Sequence, residues 1–252
     1  GLAMLAAQAG AKVMVKTRAL GLLRKDGAGN GVSALHIGEP LSIEAPLVIG
    51  ADGVESKVGR WAGIDTTLKL ADIESCAQFL VQDASIDSEY TEFYLGNSIA
   101  PSGYAWIFPK GEKLANVGLG IQGSKAGPGE AVRLLKEFMK MRFPNGRAVE
   151  MVVGGDPCSG PIDSATTDGV MLVGDAAHQT DPLTGGGILN AMQAGMIAGE
   201  VAAKAISGGS VRREDLKEYE DRWRADIGKT IARSFQLKEF FVKLTDKDLN
   251  QL

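Results

Sequence analysis

The chain has few of the residues on which metal centres, disulfide frameworks and nucleic-acid surfaces depend. Two cysteines occur in 252 residues, Cys76 and Cys158, and they form neither a CxxC pair nor a metal-ligand spacing. We expect them to be free thiols in a reducing cytosol. The formal net charge is −4, and no stripe rich in lysine and arginine is present, which argues against nucleic acid as the main partner.

Long apolar runs are also missing. The most apolar stretch, at 188–206, is interrupted by Asn190, Gln193, Glu200 and Lys204, whereas a transmembrane helix needs about 20 predominantly apolar residues. The N-terminus lacks the basic leader and cleavage pattern of a signal peptide. We therefore expect a cytoplasmic protein with, at most, peripheral contact with a membrane.

Local patterns in the first fifth of the chain predict a helix, a hairpin and a buried strand. A helical stretch covers residues 2–8 and closes at Gly10, a residue suited to a helix end. Residues 12–23 alternate as a strand does, and the glycine-rich turn at 26–31 predicts a hairpin. The short apolar run 47–50 is typical of a strand buried on both faces of a mainly parallel sheet.

The middle of the chain changes to β segments separated by turns, which predict an antiparallel sheet in a second domain. These segments lie at 75–81, 91–94, 104–108 and 115–121. An amphipathic helix is predicted at 129–141, residues 171–175 return to the buried-strand pattern, and a charged helix or helix pair covers 214–243. The chain is thus predicted to leave an α/β domain, build a second sheet and return.

Two strand-to-helix junctions carry the residue types of a ligand site. The first, at 47–60, places Asp52 and Gly53 at the carboxyl end of a strand, where an acidic residue followed by glycine lets the backbone approach a ligand closely. The alternative interpretation is a plain turn dipeptide.

The second junction, at 171–206, runs from Asp175 through a loop to three consecutive glycines at 185–187 and then a helix. The helix N-terminus stabilises negative charge, for example on a reduced flavin ring, and Asp175 can accept hydrogen bonds from sugar hydroxyls. A side chain on Gly186 or Gly187 is expected to collide with such a ring or to force a forbidden backbone angle. The alternative is a strand–loop–helix joint with a flexible glycine run.

Together these junctions resemble the FAD-binding superfamily that includes aromatic hydroxylases, electron-transfer flavoprotein dehydrogenases and geranylgeranyl reductases. LVIGADGVESKVGR is similar to its second dinucleotide motif, GDAAHQTDPLTGGGI to its Gly-Asp motif, and LAMLAAQAGAKVMVKTRA to the stretch before its adenine contact. The resemblance implies FAD as cofactor, held by Ala19, Asp52, Gly53, Asp175, Pro182, Gly185, Gly186, Gly187 and Ile188.

One departure from the superfamily is the missing GxGxxG motif and the acidic ribose-binding residue that follows it. Those features occupy a βαβ unit of roughly 30 residues. We expect that the chain is truncated at its N-terminus, because it opens in the middle of a helix. We also expect a truncation at the C-terminus, because the last residues, 246–252, form no evident ending.

A third segment distinguishes among members of the superfamily. PSGYAWIFPK, at 101–110, resembles the YxWxFP signature of geranylgeranyl reductases, and strand alternation puts Tyr104, Trp106 and Phe108 on one face. The resemblance implies that these aromatics line a slot for a prenyl chain, whereas the alternative is an ordinary core stripe. The helix after the glycines also resembles the reductases, because aromatic hydroxylases usually carry Asp-Ala where this chain has Ala194-Gly195.

Other candidates carry weaker signals. His178, beside the expected flavin, invites a proton-donor role but is interpreted as a loop residue that fixes local hydrogen bonds, and His36 carries no signal. The cysteines are interpreted as buried spectators rather than as groups that face the substrate cavity. Arg222 and Arg224 are interpreted as part of a solvated helix face rather than a lipid headgroup site. No residue is identified as the proton donor.

Length and a hydrophobic content of 44% allow one large domain or two smaller ones. The resemblance implies an α/β fold: an incomplete FAD-binding, three-layer Rossmann-like domain with an inserted antiparallel β-sheet substrate domain and C-terminal helices. Residues 1–65 and 166–210 are assigned to the FAD-binding domain, 66–165 to the substrate-binding domain, and 211–252 to the C-terminal helical region.

The implied function is an FAD-dependent reductase that saturates isoprenoid double bonds of archaeal-type geranylgeranyl lipid precursors by hydride transfer and protonation. The expected partners are a prenylated lipid substrate and an electron donor, either ferredoxin or NAD(P)H. Two alternatives stay open. One is a flavin monooxygenase on the same scaffold, and the other is a non-catalytic flavin electron carrier or prenyl-lipid-binding protein.

Overall fold

The computed structural model describes residues 1–82 and 85–251, so Asp83 and Ala84 of the predicted substrate-binding domain and Leu252 of the predicted C-terminal region lie outside the described residues. In chain order the helices and strands are α1 (Leu2–Gln8), β1 (Thr17–Lys25), β2 (Ala28–His36), β3 (Glu39–Glu44), β4 (Val48–Gly50), α2 (Lys57–Ala62), β5 (Ile73–Gln82), β6 (Glu92–Leu95), β7 (Tyr104–Gly111), β8 (Leu114–Gln122), α3 (Glu130–Arg142), β9 (Arg147–Pro157), β10 (Thr166–Thr167), β11 (Val170–Leu172), α4 (Ile188–Ser207), α5 (Lys217–Trp223), α6 (Lys229–Phe241) and α7 (Asp246–Leu249).

The predicted hairpin is present as β1 and β2, and β3 extends it to a three-stranded antiparallel sheet. The strand prediction at 12–23 was wrong at its start, because β1 begins at Thr17. Lys16 has φ +53, a left-handed conformation that extended strands do not contain. Val13 and Val15 are therefore outside the sheet, and both are exposed.

A small mixed sheet pairs β4 with β11 in parallel and β11 with β10 in antiparallel orientation. β11 is fully buried and shares a core with α4 and α5, including Tyr219 and Trp223. The prediction that 47–50 is buried on both faces was wrong for Ile49, which is 41% exposed. β4 lies at the edge of the three-stranded order, so one side of it has no neighbouring strand among the described residues.

The predicted antiparallel sheet is confirmed as five strands in the order β6-β7-β8-β5-β9. Alternation gives it two different faces. On one face Ala77, Phe79, Ile107 and Val117 pack against α3. The opposite face is left for a cavity. β9 was missed in the sequence because its apolar residues do not alternate, and most of this edge strand is exposed.

The charged segment at 214–243 forms one nearly continuous helical stretch. α5 passes through a π-helical turn at residues 224–228 into α6. Among the described residues, no helix combines the length and apolarity needed to cross a membrane. The domain boundaries after residues 65, 165 and 210 stay predictions.

Candidate active site

A cavity of about 360 Å³ lies on the open face of the antiparallel sheet. Its floor is made by β5, β7, β8 and β9. Its walls come from the loop after β11, through Pro182 and Gly185, and from the end of α6 and the residues after it, including Phe241. The wall after α6 is held to the loop that precedes β7, because Ser102 Oγ donates to the Val242 carbonyl at 3.3 Å.

The three predicted aromatics lie together on this cavity. The ring centroids of Tyr104 and Trp106 are 5.7 Å apart, and those of Trp106 and Phe108 are 6.0 Å apart with nearly parallel planes. All three side chains are half-buried, unlike Ile107 between them, which is fully buried in the core. Trp106 Nε1 donates to Gln78 Oε1 at 3.1 Å. The row is therefore a cavity wall rather than part of the α3 core.

Two glycines of β8, which the sequence analysis missed, form a trough beside the aromatic row. A Cβ on Gly118 would lie 2.4 Å from Trp106 Cζ2, and a Cβ on Gly120 would lie 3.1 Å from Cys76 Sγ. Because Gly118 has no side chain, the indole of Trp106 lies close against the sheet, and because Gly120 has none, the cavity is deeper at that position. Glycines two apart within a predicted strand were the available signal, because glycine in a strand marks a close approach by another group.

The predicted acidic residues Asp52 and Asp175 lie at one edge of the parallel pair. Asp52 follows β4, Asp175 follows β11, and Gly50 pairs with Leu172 at the ends of these strands. Ser56 Oγ joins the two junctions by donating to the Ala176 carbonyl at 3.1 Å. Asp52 Oδ2 accepts from the Val58 backbone N–H at 2.9 Å, so it also stabilises the start of α2.

The glycine loop lies next to Asp175. A Cβ on Gly187 would be 3.1 Å from Asp175 Oδ1, which also accepts from Thr180 Oγ1 at 3.0 Å. The forbidden angle expected at Gly186 or Gly187 is found instead at Gly185, which has φ +68. A Cβ on Gly185 would also lie 2.5 Å from Asp156 Oδ2. Gly187 itself has φ −120, which any residue adopts.

α4 begins beside the loop without a side-chain cap. The first N–H groups of a helix have no intrahelical partner and carry a partial positive charge. Ile188 at this end is 79% exposed. An uncapped helix N-terminus, glycines that keep the backbone bare, and Asp175 within reach of the loop fit the ribityl chain and ring of a flavin.

Two further residues considered from the sequence, Ala19 and His178, do not belong to the described residues that line the cavity. Ala19 is exposed on β1, next to a register shift at Gly21, in the sheet formed by β1, β2 and β3. His178 is buried in a left-handed conformation, and burial lowers its pKa. His178 does not belong to the described residues that line the cavity, which agrees with its interpretation as a structural loop residue.

A group of buried ionisable side chains at the deep end of the cavity was missed in the sequence. Glu74 on β5 is the direct partner of Asp156 on β9, so both carboxyls lie on the cavity face. Burial raises the pKa of Glu74 to about 8; the charge of Lys238 opposes the rise, and the nearby Asp156 adds to it. Burial, helped by Asp175, raises the pKa of Asp156 to about 7. Lys238 lines the same end and is 3% exposed.

Residues 72–155 match a family model described as the geranylgeranyl reductase catalytic domain. The chain is 66% identical, over 251 residues, to a digeranylgeranylglycerophospholipid reductase of Methanothrix thermoacetophila, with 100% of this chain and 64% of that protein covered. It is 56% identical over 250 residues to the protein of the same name from Methanosarcina acetivorans, with 98% and 61% covered. The chain therefore spans less than two thirds of the length of these curated relatives.

Solved structures share the fold. A geranylgeranyl bacteriochlorophyll reductase-like protein from Thermoplasma acidophilum is 39% identical, with a TM-score of 0.94 over 99% of this chain and 64% of that one. The chondrochloren halogenase, an FAD-dependent halogenase, is 16% identical, with a TM-score of 0.74 over 99% of this chain and 62% of that one. The second likeness shows the fold alone. The predicted α/β class with an inserted antiparallel sheet is confirmed.

Proposed function

We infer that the chain belongs to the geranylgeranyl reductase family, and on that premise we propose that the protein is an FAD-dependent reductase of geranylgeranyl chains in membrane-lipid precursors. When bound, FAD supplies a hydride for a carbon–carbon double bond. The observation that carries the proposal is the shared cavity, in which the aromatic row of β7 and the glycine loop before α4 face one space.

The cavity residues supply orientation and exclusion of water. Tyr104, Trp106 and Phe108 offer an apolar wall of linked rings, against which a branched hydrocarbon chain packs without polar partners. The trough over Gly118 and Gly120 lets the chain lie close to the sheet. An isolated alkene is a poor hydride acceptor, so tight positioning in a dry site is the main contribution required of these residues.

The proposed cofactor contacts follow the edge of the parallel pair. Asp175 would accept hydrogen bonds from the ribityl hydroxyls, and Gly185, Gly186, Gly187 and the N-terminus of α4 at Ile188 would hold the flavin ring. The proximity of Asp175 Oδ1 to the glycine loop supports this assignment. The remaining contacts proposed for FAD are those of Ala19, Asp52, Gly53 and Pro182.

The lipid substrate also bears on where the protein acts. We propose a cytoplasmic enzyme that meets its substrate at the membrane surface. Its electron donor is proposed to be ferredoxin or NAD(P)H, and turnover with each donor added separately distinguishes them.

The test is anaerobic incubation of the reduced full-length protein with a geranylgeranyl lipid, followed by mass spectrometry. Saturation adds one pair of hydrogens for each double bond, and Asp175→Ala, loaded under the same conditions, is the matched control. In a parallel incubation in air, oxygen incorporation without saturation would identify a monooxygenase. A lipid recovered unchanged from a protein that binds it would identify a carrier, and either result would overturn the proposal.

A further inference from the structure

Saturation of a double bond requires a proton as well as a hydride, and few acids face the cavity. The hydroxyl of Tyr104 already donates to the Thr184 carbonyl, and burial raises its pKa to about 12. Burial also raises the pKa of the Cys76 thiol to about 12 and that of Cys158 further still. These three groups hold their protons too tightly to donate them readily near neutral pH.

The ammonium group of Lys238 uses its hydrogens in contacts within the protein. Its Nζ donates to the Cys158 carbonyl at 2.7 Å and to the Ala71 carbonyl at 3.0 Å, and it pairs with Asp72 Oδ1 at 3.3 Å. An ammonium has three hydrogens, and these three acceptors account for all of them. Lys238 therefore links α6 to the residues that precede β5 and follow β9. Among the described residues that line the cavity, the two carboxyls are left as the available acids.

Glu74 is the carboxyl whose position suits donation. Its Oε2 atom is buried without a hydrogen-bond partner among the described residues. That atom lies beside the glycine trough, 3.2 Å from the place that a Cβ on Gly103 would occupy and 3.7 Å from the corresponding place on Gly120. No protein group among the described residues holds a proton on this enclosed oxygen, and the Glu74 side chain lines the cavity.

Asp156 keeps that proton in place. The two residues are direct cross-strand partners, whose Cβ atoms lie about 4.5–5.5 Å apart in antiparallel sheets. Two carboxylates at this distance, removed from water, do not both ionise readily. Asp156 lies nearer the glycine loop, where its Oδ2 approaches Gly185, and the charge of Asp175 acts on it from the far side.

We propose that Glu74 is the proton donor of the reduction and that Asp156 is a positioning residue that maintains its protonated state. This inference rests on the proposed function. One alkene carbon accepts the hydride from the reduced flavin, and the other takes the proton from the Glu74 carboxyl, so the π bond is replaced by two C–H bonds. The flavin is oxidised by two electrons, and Glu74 is left as a carboxylate that solvent reprotonates after product release.

The experiment compares the full-length protein with Glu74→Gln, which keeps the side-chain shape without the acid, Glu74→Asp, Asp156→Asn and Glu150→Gln. Glu150 is an exposed carboxyl on the same strand as Asp156 and is the matched control. Infrared difference spectra across pH 5–10 follow carboxyl protonation directly, without turnover. Prenyl-lipid binding and single-turnover rates are measured on the same samples.

In wild type and Glu150→Gln we expect a carboxyl band that disappears with an apparent pKa near 8, and we expect Glu74→Gln to lack it. Glu74→Gln should lose about 100-fold or more of the single-turnover rate while its lipid affinity stays within about threefold. Glu74→Asp should retain part of the rate. Asp156→Asn should keep activity in acid, but its activity should fall at a lower pH than that of wild type as the pH is raised, because removal of the neighbouring charge lowers the pKa of Glu74.

Full activity in Glu74→Gln would overturn the proposal. So would a pattern in which Asp156→Asn loses activity at every pH while Glu74→Gln is unaffected. The latter result would make Asp156 the donor. If wild type itself reduces no prenyl lipid, the proposed function fails, whereas the infrared titration still reports whether Glu74 holds a proton near neutral pH. Should Glu74→Gln fold poorly, the rate and band of Glu74→Asp decide between the outcomes.

Discussion

The raised pKa of Glu74 makes the stability of the fold depend on pH in a way that Glu74→Gln removes. In the folded protein the pKa rises from an ordinary value of 4.5 to about 8. At about 1.4 kcal/mol for each pKa unit, that difference corresponds to roughly 5 kcal/mol of destabilisation once the buried carboxyl is ionised. Between these two pKa values the folded state holds a proton that the unfolded state has released.

The sign of the effect follows from this difference in bound protons. The contribution of Glu74 is fully present below about pH 4.5 and is lost progressively as pH rises through about 8. Glutamine at position 74 does not ionise, so it lacks this dependence. The free energy of unfolding of Glu74→Gln, relative to wild type, should therefore increase by about 3–5 kcal/mol between pH 5 and pH 8.5.

The assay is guanidinium unfolding of both proteins at pH 5, 7 and 8.5, with Glu150→Gln as the control that changes an exposed carboxyl. The slope of each transition is compared as well, because equal slopes show that the same surface is exposed on unfolding. A difference between Glu74→Gln and wild type that stays constant across this pH range would refute the assignment of the raised pKa to Glu74.

Three further substitutions test the site. Asp175→Ala removes a charge-assisted acceptor worth about 1.5–3 kcal/mol, so we expect FAD affinity, measured by fluorescence titration, to fall at least about tenfold; unchanged affinity would contradict the ribityl contact. Gly185→Ala places a side chain on a residue with φ +68 and brings its Cβ into a clash with Asp156 Oδ2. We expect thermal unfolding to show a loss of stability of about 1–3 kcal/mol, and a much smaller loss for Gly186→Ala. Trp106→Ala should weaken turnover of long prenyl substrates and destabilise the fold by less than the ~3–5 kcal/mol of a core aromatic; a loss in that range would favour the core interpretation.

The sequence by itself determined the features that depend on neighbouring residues. Alternation along β7 puts Tyr104, Trp106 and Phe108 on one face whatever surrounds the strand. The three glycines before an apolar helical run predicted the helix start at Ile188, because a helix end and its preceding loop are specified within a few residues. The antiparallel character of the middle sheet followed in the same way from short segments separated by turns.

Only the tertiary structure decided which of these features share a cavity and which groups accompany them. Glu74 and Asp156 are far apart in the chain and become partners through the register of β5 with β9, an edge strand without a clear alternation. Lys238 reaches the same place from α6. The strained glycine proved to be Gly185 rather than its neighbours, since the path of the loop depends on Asp181, which accepts from the Thr184 backbone N–H at 2.9 Å. Register, loop path and burial arise from contacts between distant segments, and burial is what raises the pKa values of the carboxyls that local sequence presents as ordinary acids.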